Sequence, residues 1–361
     1  MDLRQTALTE THRAAGARMA DFGGWEMPIE YPTGVVAEHT SVRTGVGAFD
    51  VSHMGKLMIS GPGAVAALNA ILANDLDRIG AGQAQYSMLC NDLGGVVDDL
   101  IVYRISDDEA RIVPNAANAA AVRDTLVGSV PAGVQVQDLH TTEGIVAVQG
   151  PGSRAVLVEL GLLPVDEDLP YMAFTTATFA GAQVVVCRTG YTGEHGYELI
   201  VGSASLPELW ARVVEHATPC GLGARDTLRT EMGYPLHGQD LSAAVTPVEA
   251  GLAWAVGWNK PAFHGRDALV AQRAAGRPRA LRGLRIQGRG IPRAHMAVTS
   301  PSGEPVGETT SGTFSPTLKV GVALALVDPG LVIGDDVAID VRGRAVPAQI
   351  VPLPFVDSSP K

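Results

Sequence analysis

Apolar positions come in two contrasting patterns along the chain. Between Ala84 and Ile105, two apolar runs flank the turn-forming sequence Asn91-Asp92-Leu93-Gly94-Gly95, whose glycines permit positive φ angles, so a β-hairpin is predicted. Other segments show helical spacing, several opening with proline or a small polar residue as helix starts prefer. Helices are predicted over residues 64–72, 118–126, 153–160, 206–216 and 267–274. Because strands and helices interleave irregularly, the pattern favours an α+β fold over a regular βαβ series.

A short sequence pattern occurs twice. Ile59-Ser60-Gly61-Pro62-Gly63-Ala64 and Val148-Gln149-Gly150-Pro151-Gly152-Ser153 each combine an apolar strand end, a Gly-Pro-Gly turn and a helix start. Two related halves would produce such a repeat, with Gly61 and Gly150 opening equivalent helices. Coincidence is an equal alternative, because Gly-Pro commonly separates a strand from a helix.

The pattern changes after residue 279. Short alternating runs such as Val337-Ala338-Ile339-Asp340-Val341, with frequent proline and glycine, replace the helical spacing. This predicts a small all-β domain, preceded by a linker near residues 274–279.

The composition argues against several classes of protein, namely disulfide-linked, zinc-binding, nucleic-acid-binding and membrane proteins. Cys90, Cys187 and Cys220 lie far apart without CxxC spacing, so we expect buried thiols rather than disulfides or a zinc site. With a net charge of −11, the chain lacks the positive electrostatic field that nucleic-acid binding requires. Neither an apolar run of ~18 residues nor a signal-like N-terminus is present. We therefore expect a cytoplasmic protein without nucleic-acid or membrane partners.

The strand predicted after Gly95 carries two adjacent carboxylates, Asp98 and Asp99, although both of its faces are otherwise apolar. Neighbouring strand residues point to opposite faces. An unpaired buried charge costs several kcal/mol, so this pair is anomalous. A functional role is one explanation. The alternative is a strand end leaving the core, with one aspartate capping a turn.

Two further segments suit ligand binding. Residues 188–199 contain three glycines, two tyrosines and two glutamates, a composition typical of loops that expose polar groups to a ligand, although a plain hairpin with solvated Glu198 fits equally. Residues 221–226 form a glycine-rich helix entry with Arg225 near its start, which suits a carboxylate. The third glycine of GxGxxG is missing, so a dinucleotide site is not indicated.

Common enzyme signatures are absent from the sequence. His53, His237 and His264 occur singly without an HExxH pattern, so we interpret them as structural. There is no GxSxG elbow and no GxxxxGK[ST] loop, which argues against the common serine hydrolases and P-loop proteins.

Six motifs, taken in order from end to end, resemble the tetrahydrofolate-dependent aminomethyltransferase family. They are Phe22-Gly23-Gly24-Trp25-Glu26-Met27-Pro28, Phe49-Asp50-Val51-Ser52-His53-Met54-Gly55, Gly94-Gly95-Val96-Val97-Asp98-Asp99-Leu100, residues 188–199, residues 221–226 and Thr310-Ser311-Gly312-Thr313-Phe314-Ser315-Pro316. Each motif is modest alone, whereas the ordered set is highly specific. The set is most similar to the T proteins of the glycine cleavage system.

This resemblance implies three domains arranged as a cloverleaf around a central folate cavity. Two related α+β subdomains would occupy residues 1–276, and a C-terminal β-barrel would occupy residues 280–361. It implies tetrahydrofolate as co-substrate, without metal or flavin, and the lipoylated H protein of the glycine cleavage system as partner. The implied reaction transfers the methylene carbon of an aminomethyl group on the lipoyl arm to tetrahydrofolate. Its products are 5,10-methylenetetrahydrofolate, ammonia and dihydrolipoyl H protein.

The resemblance also assigns site residues. Asp99 matches the family's catalytic aspartate, placed beside folate N10 as a general base or electrostatic partner. Pterin contacts are implied for Tyr86, Asn115, Tyr191 and Glu198, and cavity lining for Met54, Ile101 and Tyr103. Arg225 would meet the glutamate carboxylate, with Tyr171 and Tyr234 on the cavity walls.

Two alternatives remain. A related folate-dependent demethylase or methyltransferase would share the folate site but use another donor and no H protein. A non-catalytic folate-binding scaffold would bind folate without turnover, although Asp99 argues against it.

Overall fold

The computed structural model describes residues 3–360. Its first part contains α1 (Thr9–Ala14), β1 (Arg18–Phe22), β2 (Trp25–Glu30), α2 (Val35–Thr44), β3 (Gly47–Asp50), β4 (Leu57–Ser60), α3 (Ala64–Ile71), β5 (Gln83–Cys90), β6 (Val96–Arg104), β7 (Glu109–Pro114), α4 (Ala119–Ser129) and β8 (Gln135–Asp138). The middle part contains β9 (Glu143–Gln149), α5 (Ser153–Glu159), β10 (Phe174–Phe179), β11 (Ala182–Cys187), β12 (Gly196–Gly202), α6 (Leu206–Val213), β13 (Thr218–Pro219), α7 (Leu222–Glu231) and α8 (Arg266–Ala275). The last part contains β14 (Ala280–Ile286), β15 (Ala297–Thr299), β16 (Pro305–Ser315), β17 (Val320–Val327), β18 (Asp336–Asp340) and β19 (Ala345–Val351).

Two of the sheets share one order of connection. In the first sheet, ordered β5-β6-β7-β4-β8, strand β4 leads through α3 into the antiparallel strands β5, β6 and β7, and β7 pairs back with β4. In the second, ordered β10-β11-β12-β9-β3-β13, strand β9 leads through α5 into β10, β11 and β12, and β12 pairs back with β9. The two halves therefore have the same core topology.

The repeated Gly-Pro-Gly segments occupy equivalent junctions in these halves. Gly61 follows β4 with φ +128°, and Gly150 follows β9 with φ +126°. A Cβ atom at Gly61 would lie 2.2 Å from the carbonyl oxygen of Gly133, and one at Gly150 would lie 2.3 Å from that of Gly45. Only glycine permits both this conformation and this close approach. The sequence repeat thus reflects the same backbone requirement for glycine at the same junction in both halves.

Each sheet packs a pair of helices on one of its faces. Residues at alternate positions of β6, Leu100 and Val102, join a core with α3 and α4, whereas the second sheet packs against α5 and α6. The intervening β6 positions, including Ile101, face the cavity described below. Alternation along a single strand therefore separates core from cavity.

The C-terminal strands close into a six-stranded barrel, ordered β14-β17-β16-β15-β18-β19. The α+β fold with a C-terminal β-barrel is thus confirmed. The predicted hairpin is also present as β5 and β6, and the five predicted helices correspond to α3, α4, α5, α6 and α8. The largest differences are in α4, which covers Ala119–Ser129 rather than residues 118–126, and in α6, which ends at Val213 rather than at residue 216.

Buried charges join α7 to the barrel. Arg229 donates to Asp240 at 2.7 Å and to the Ser311 hydroxyl at 2.8 Å. Glu231 accepts hydrogen bonds from Arg43 at 2.8 Å and from Ser315 at 2.5 Å. Because buried charges are tolerated only when paired, these contacts fix how the barrel sits on the helix.

Candidate active site

A cavity of about 1330 Å³ lies between the two sheets, α7 and the barrel. It is lined by residues from both sheets, from α7, and from Gly312 of β16. All eleven residues implied by the sequence resemblance line it: Met54, Tyr86, Asp99, Ile101, Tyr103, Asn115, Tyr171, Tyr191, Glu198, Arg225 and Tyr234. The fold therefore brings together positions that are up to 180 residues apart in the sequence.

Asp99 presents its carboxylate to this cavity from β6. The hydroxyl of Tyr86, on the neighbouring strand β5, donates to Oδ2 at 3.0 Å. The side-chain nitrogen of Asn115, just after β7, lies 2.9 Å from Oδ1. Burial raises the pKa of Asp99, and His237, Tyr86 and Asn115 partly offset this effect. The result is an oriented carboxyl group whose proton affinity is greater than that of an exposed aspartate.

Asp98 points to the opposite face of β6 and is fully buried. Its carboxyl group accepts from the backbone nitrogen of Asn115 at 2.9 Å and from the side chain of Asn118 at 2.7 Å. Burial, and then the negative charge of Asp99, raise the pKa of Asp98 to about 8. These hydrogen bonds show that Asp98 holds Asn115 in place.

Glu198 lies on β12 in the opposite sheet. Its Oε2 accepts from the Thr189 hydroxyl at 2.6 Å, and that hydroxyl lies 3.2 Å from the hydroxyl of Tyr103. Among residues 3–360, no hydrogen bond is made to the other carboxylate oxygen, which is therefore available to accept from a ligand. Glu198 thus offers the kind of acceptor that a ring carrying several N–H donors requires.

Arg225 occupies the first half of α7. Its guanidinium carbon lies 4.8 Å from the ring centre of Tyr191, which in turn stacks on Tyr234 at 5.7 Å. Within residues 3–360, Nη1 of Arg225 is buried without a hydrogen-bond partner. Burial lowers the pKa of Arg225, and the negative charge of Glu198 counteracts this. An arginine with unused donors beside a cavity is suited to an anionic ligand group.

Several cavity residues were not identified from the sequence. Trp254, between β13 and β14, lines the cavity with 65% of its surface exposed and stacks on Tyr86. It carried no sequence signal, since it lies alone in an irregular segment. His237 also lines the cavity, and its ring nitrogens lie 2.9 Å from the Asn118 side chain and 3.1 Å from the carbonyl oxygen of Val96. These contacts agree with the structural role expected for His237.

His53 is the other histidine in the cavity wall. Its ring packs edge-on against Phe22 with centroids 5.3 Å apart, and burial lowers its pKa to about 3. It is therefore neutral at ordinary pH. In the described part of the chain, Nδ1 of His53 has no hydrogen-bond partner.

Across residues 3–360, no group of three or more His, Cys, Asp or Glu side chains is arranged to hold a metal ion. No helix in this range has both the length and the apolar character needed to cross a bilayer. Cys90, Cys187 and Cys220 are free and buried, as expected.

An oriented carboxyl group of raised pKa, set in a large cavity with unsatisfied polar groups, is characteristic of an enzyme active site. Comparison with known proteins defines the enzyme further. The family described as the GCVT N-terminal domain matches residues 8–260, and the glycine cleavage T-protein C-terminal barrel domain matches residues 279–357. The chain therefore belongs to the glycine cleavage T-protein family of aminomethyltransferases, which are transferases.

Individual relatives agree with this assignment over the whole chain. The chain is 56% identical to an aminomethyltransferase of Parafrankia sp. (strain EAN1pec), covering 100% of both chains. It is 53% identical to an aminomethyltransferase of Mycobacterium tuberculosis, covering 97% of this chain and 96% of the relative. The crystal structure of the glycine cleavage system aminomethyltransferase T from Bartonella henselae superposes with a TM-score of 0.93 at 35% identity, covering 99% of each chain.

Proposed function

We propose that the cavity binds tetrahydrofolate and that the lipoylated H protein delivers an aminomethyl group to it. The methylene carbon is transferred to tetrahydrofolate, which yields 5,10-methylenetetrahydrofolate, ammonia and dihydrolipoyl H protein. Tetrahydrofolate supplies the two nitrogen nucleophiles, N5 and N10, between which the carbon is finally held. Membership of the glycine cleavage T-protein family supports this proposal at the level of the enzyme class.

The residues present fit such a co-substrate at both of its polar ends. Glu198 has a free carboxylate oxygen for the amino and ring N–H donors of the pterin. Arg225 has a buried donor without a protein partner, as a carboxylate-binding residue requires. The stacked aromatic side chains of Tyr191 and Tyr234 add flat apolar surfaces to the same cavity. We therefore retain Glu198 as the proposed pterin contact and Arg225 as the proposed contact to the glutamate carboxylate.

The observation that carries the proposal is the position of Asp99. It faces the cavity from β6, held by Tyr86 and Asn115, whereas Asp98 faces the core. Asp99 would orient N10, accept its proton and stabilise positive charge that develops during transfer. Its raised pKa makes it a stronger base than an exposed aspartate.

The roles of the other lining residues follow from this placement. Asn115 contacts both aspartates, and Tyr86 contacts Asp99, so these two side chains position the carboxylate in addition to their proposed pterin contacts. Met54, Ile101 and Tyr103 would line the folate cavity, with Tyr171 on its wall.

We also propose a domain division with residues 1–276 as the folate-binding region and residues 280–361 as the barrel domain. The shared topology of the two sheets supports two related α+β subdomains within the first region. A cytoplasmic location is proposed on the basis of three free buried thiols, which suit a reducing compartment.

One assay tests the function directly. The purified chain is incubated with tetrahydrofolate and aminomethylated H protein, and formation of methylenetetrahydrofolate and ammonia is followed. We expect turnover that requires both substrates. Turnover from small N-methyl donors without H protein would indicate a demethylase instead, and folate binding without turnover would indicate a scaffold.

A further inference from the structure

Trp254 is a large aromatic residue that the fold leaves exposed at the cavity. It belongs to a single 3₁₀ turn, Ala253–Ala255, and 65% of its surface is accessible although neighbouring Ala255 and Val256 are buried. An aromatic side chain usually contributes its large apolar area to a core or an interface. Trp254 instead lines the same cavity as Asp99.

One face of Trp254 is in contact with Tyr86. The two ring centres are 5.7 Å apart with an interplanar angle of 26°, which is a stacked arrangement. Tyr86 lies on β5, where it pairs with Ile101 of β6, two residues beyond Asp99. Its hydroxyl donates to Oδ2 of Asp99 at 3.0 Å. The indole therefore restrains the ring whose hydroxyl orients the proposed catalytic carboxylate.

The second oxygen of Asp99 is held differently. Oδ1 lies 2.9 Å from the side-chain nitrogen of Asn115, which is itself fixed by the buried Asp98. Asn115 is thus anchored in the core, whereas Tyr86 has its ring on the cavity side, stacked on an exposed residue. Of the two hydrogen bonds to Asp99, the one from Tyr86 therefore depends on packing at the cavity surface.

We propose that Trp254 is a positioning residue for the transfer reaction. By stacking on Tyr86 it holds the tyrosine hydroxyl on Asp99, which fixes the orientation of the carboxylate and favours its ionised form. This inference rests on the proposed function of Asp99. It means that Trp254, a residue outside the two sheets, helps to orient the catalytic carboxylate.

The hydrogen bond from Tyr86 stabilises the charged form of Asp99, so weakening it raises the pKa of Asp99 further. The other titratable groups near this carboxyl group are Asp98, His237 and Tyr191. In the described chain Trp254 makes no hydrogen bond or ring contact with any of these three, and its ring contact is with Tyr86, so we expect a substitution there to alter Asp99 through Tyr86.

The test compares Trp254→Ala with Trp254→Phe, which keeps a ring for stacking. At saturating tetrahydrofolate and H protein we expect Trp254→Ala to lower turnover about two- to tenfold, the scale of a lost aromatic pair, and Trp254→Phe to retain most of it. Trp210→Phe is the matched control, because Trp210 packs in the core of the second sheet, outside the cavity lining and away from the Ala253–Ala255 turn. This control should behave as the unaltered chain.

Two readouts separate positioning from a general loss of structure. In a Tyr86→Phe background, Trp254→Ala should add little, because the hydroxyl through which it acts is gone. In the ligand-free protein, infrared difference spectra against Asp99→Asn should show a higher carboxyl pKa for Asp99 in Trp254→Ala.

Additive effects of the two substitutions, or an unchanged Asp99 pKa, would overturn the inference. So would a Trp254→Ala variant whose only defect is weaker folate binding. Failure of the proposed function itself is distinguishable, because the unaltered chain would then form no methylenetetrahydrofolate.

Discussion

Two arginines one turn apart on α7 differ in how their charges are used. Arg229 is 3% exposed, and its guanidinium donates to Asp226, Asp240 and Ser311, which joins the helix to the barrel. Arg225 also borders the cavity, but Nη1 has no partner within residues 3–360. A buried charge that is fully paired stabilises the fold, whereas an unpaired donor at a cavity wall is available to a ligand.

The two aspartates of β6 repeat this contrast. Asp98 is enclosed by Asn115 and Asn118 on the core side, and Asp99 is oriented at the cavity with its carboxylate open to a ligand. In the arginine pair and in the aspartate pair, one residue has a structural role and the other is a candidate functional residue. The two members of each pair are separated by only one helical turn or one strand position.

The largest effect is expected at the structural arginine. Arg229→Ala leaves Asp240 buried without its cation, so the free energy of unfolding should fall by about 3–5 kcal/mol. Chemical denaturation measures this loss. Arg225→Ala is the matched control and should destabilise the chain much less. Equal destabilisation by both substitutions would remove the contrast between the two arginines.

The next effect concerns ligand binding by Arg225. Its replacement by alanine should weaken tetrahydrofolate binding by about 1.5–3 kcal/mol through the loss of one charge-assisted contact, with the chemical step less affected. Titration calorimetry measures the affinity. The same titration with a tetrahydropterin that lacks the glutamate should show little difference between the variant and the unaltered chain. An unchanged affinity for full tetrahydrofolate would refute the assignment.

The smallest effect, taken over one pH unit, is a dependence of stability on pH. The pKa of Asp98 is raised from its ordinary value near 4 to about 8, so between these values the folded chain holds a proton that the unfolded chain releases. This group therefore contributes stability at low pH that is lost as pH rises toward 8. Asp98→Asn removes the contribution, so its stability relative to the unaltered chain should increase with pH, by at most about 1.4 kcal/mol per pH unit. Denaturation of both chains from pH 5 to 8 measures the difference, and a constant difference would contradict the assignment.

Much of the fold could be predicted from the sequence where local chemistry decides it. The β5–β6 hairpin follows from its glycine turn, and α3 and α5 follow from proline and apolar spacing. Helix α2 was missed because its buried face carries Glu38 and His39, so hydrophobic periodicity does not reveal it. The Glu38 carboxylate instead accepts hydrogen bonds from the backbone of Tyr31 and Gly221, a long-range pairing that no local pattern indicates.

The candidate site also combines features that the local sequence predicts with features that depend on long-range contacts. Strand alternation already placed Asp98 and Asp99 on opposite faces, and burial now distinguishes them. The family resemblance supplied the remaining cavity residues. Trp254 and the pairing of Arg229 could not be predicted, because both depend on contacts between segments distant in sequence. Their roles depend on which neighbours the fold supplies.

The most direct test of the account is the turnover of Asp99→Asn beside that of Asp98→Asn. Both substitutions keep the side-chain shape and remove a carboxylate. They differ mainly in where the carboxylate is lost, at the cavity face of β6 for Asp99 and at the core face for Asp98. With saturating tetrahydrofolate and aminomethylated H protein, we expect Asp99→Asn to lower turnover by ~10²-fold or more while still binding folate, as for a positioned general base. Asp98→Asn should mainly alter stability. Full activity in Asp99→Asn, or a larger catalytic loss in Asp98→Asn, would contradict the account.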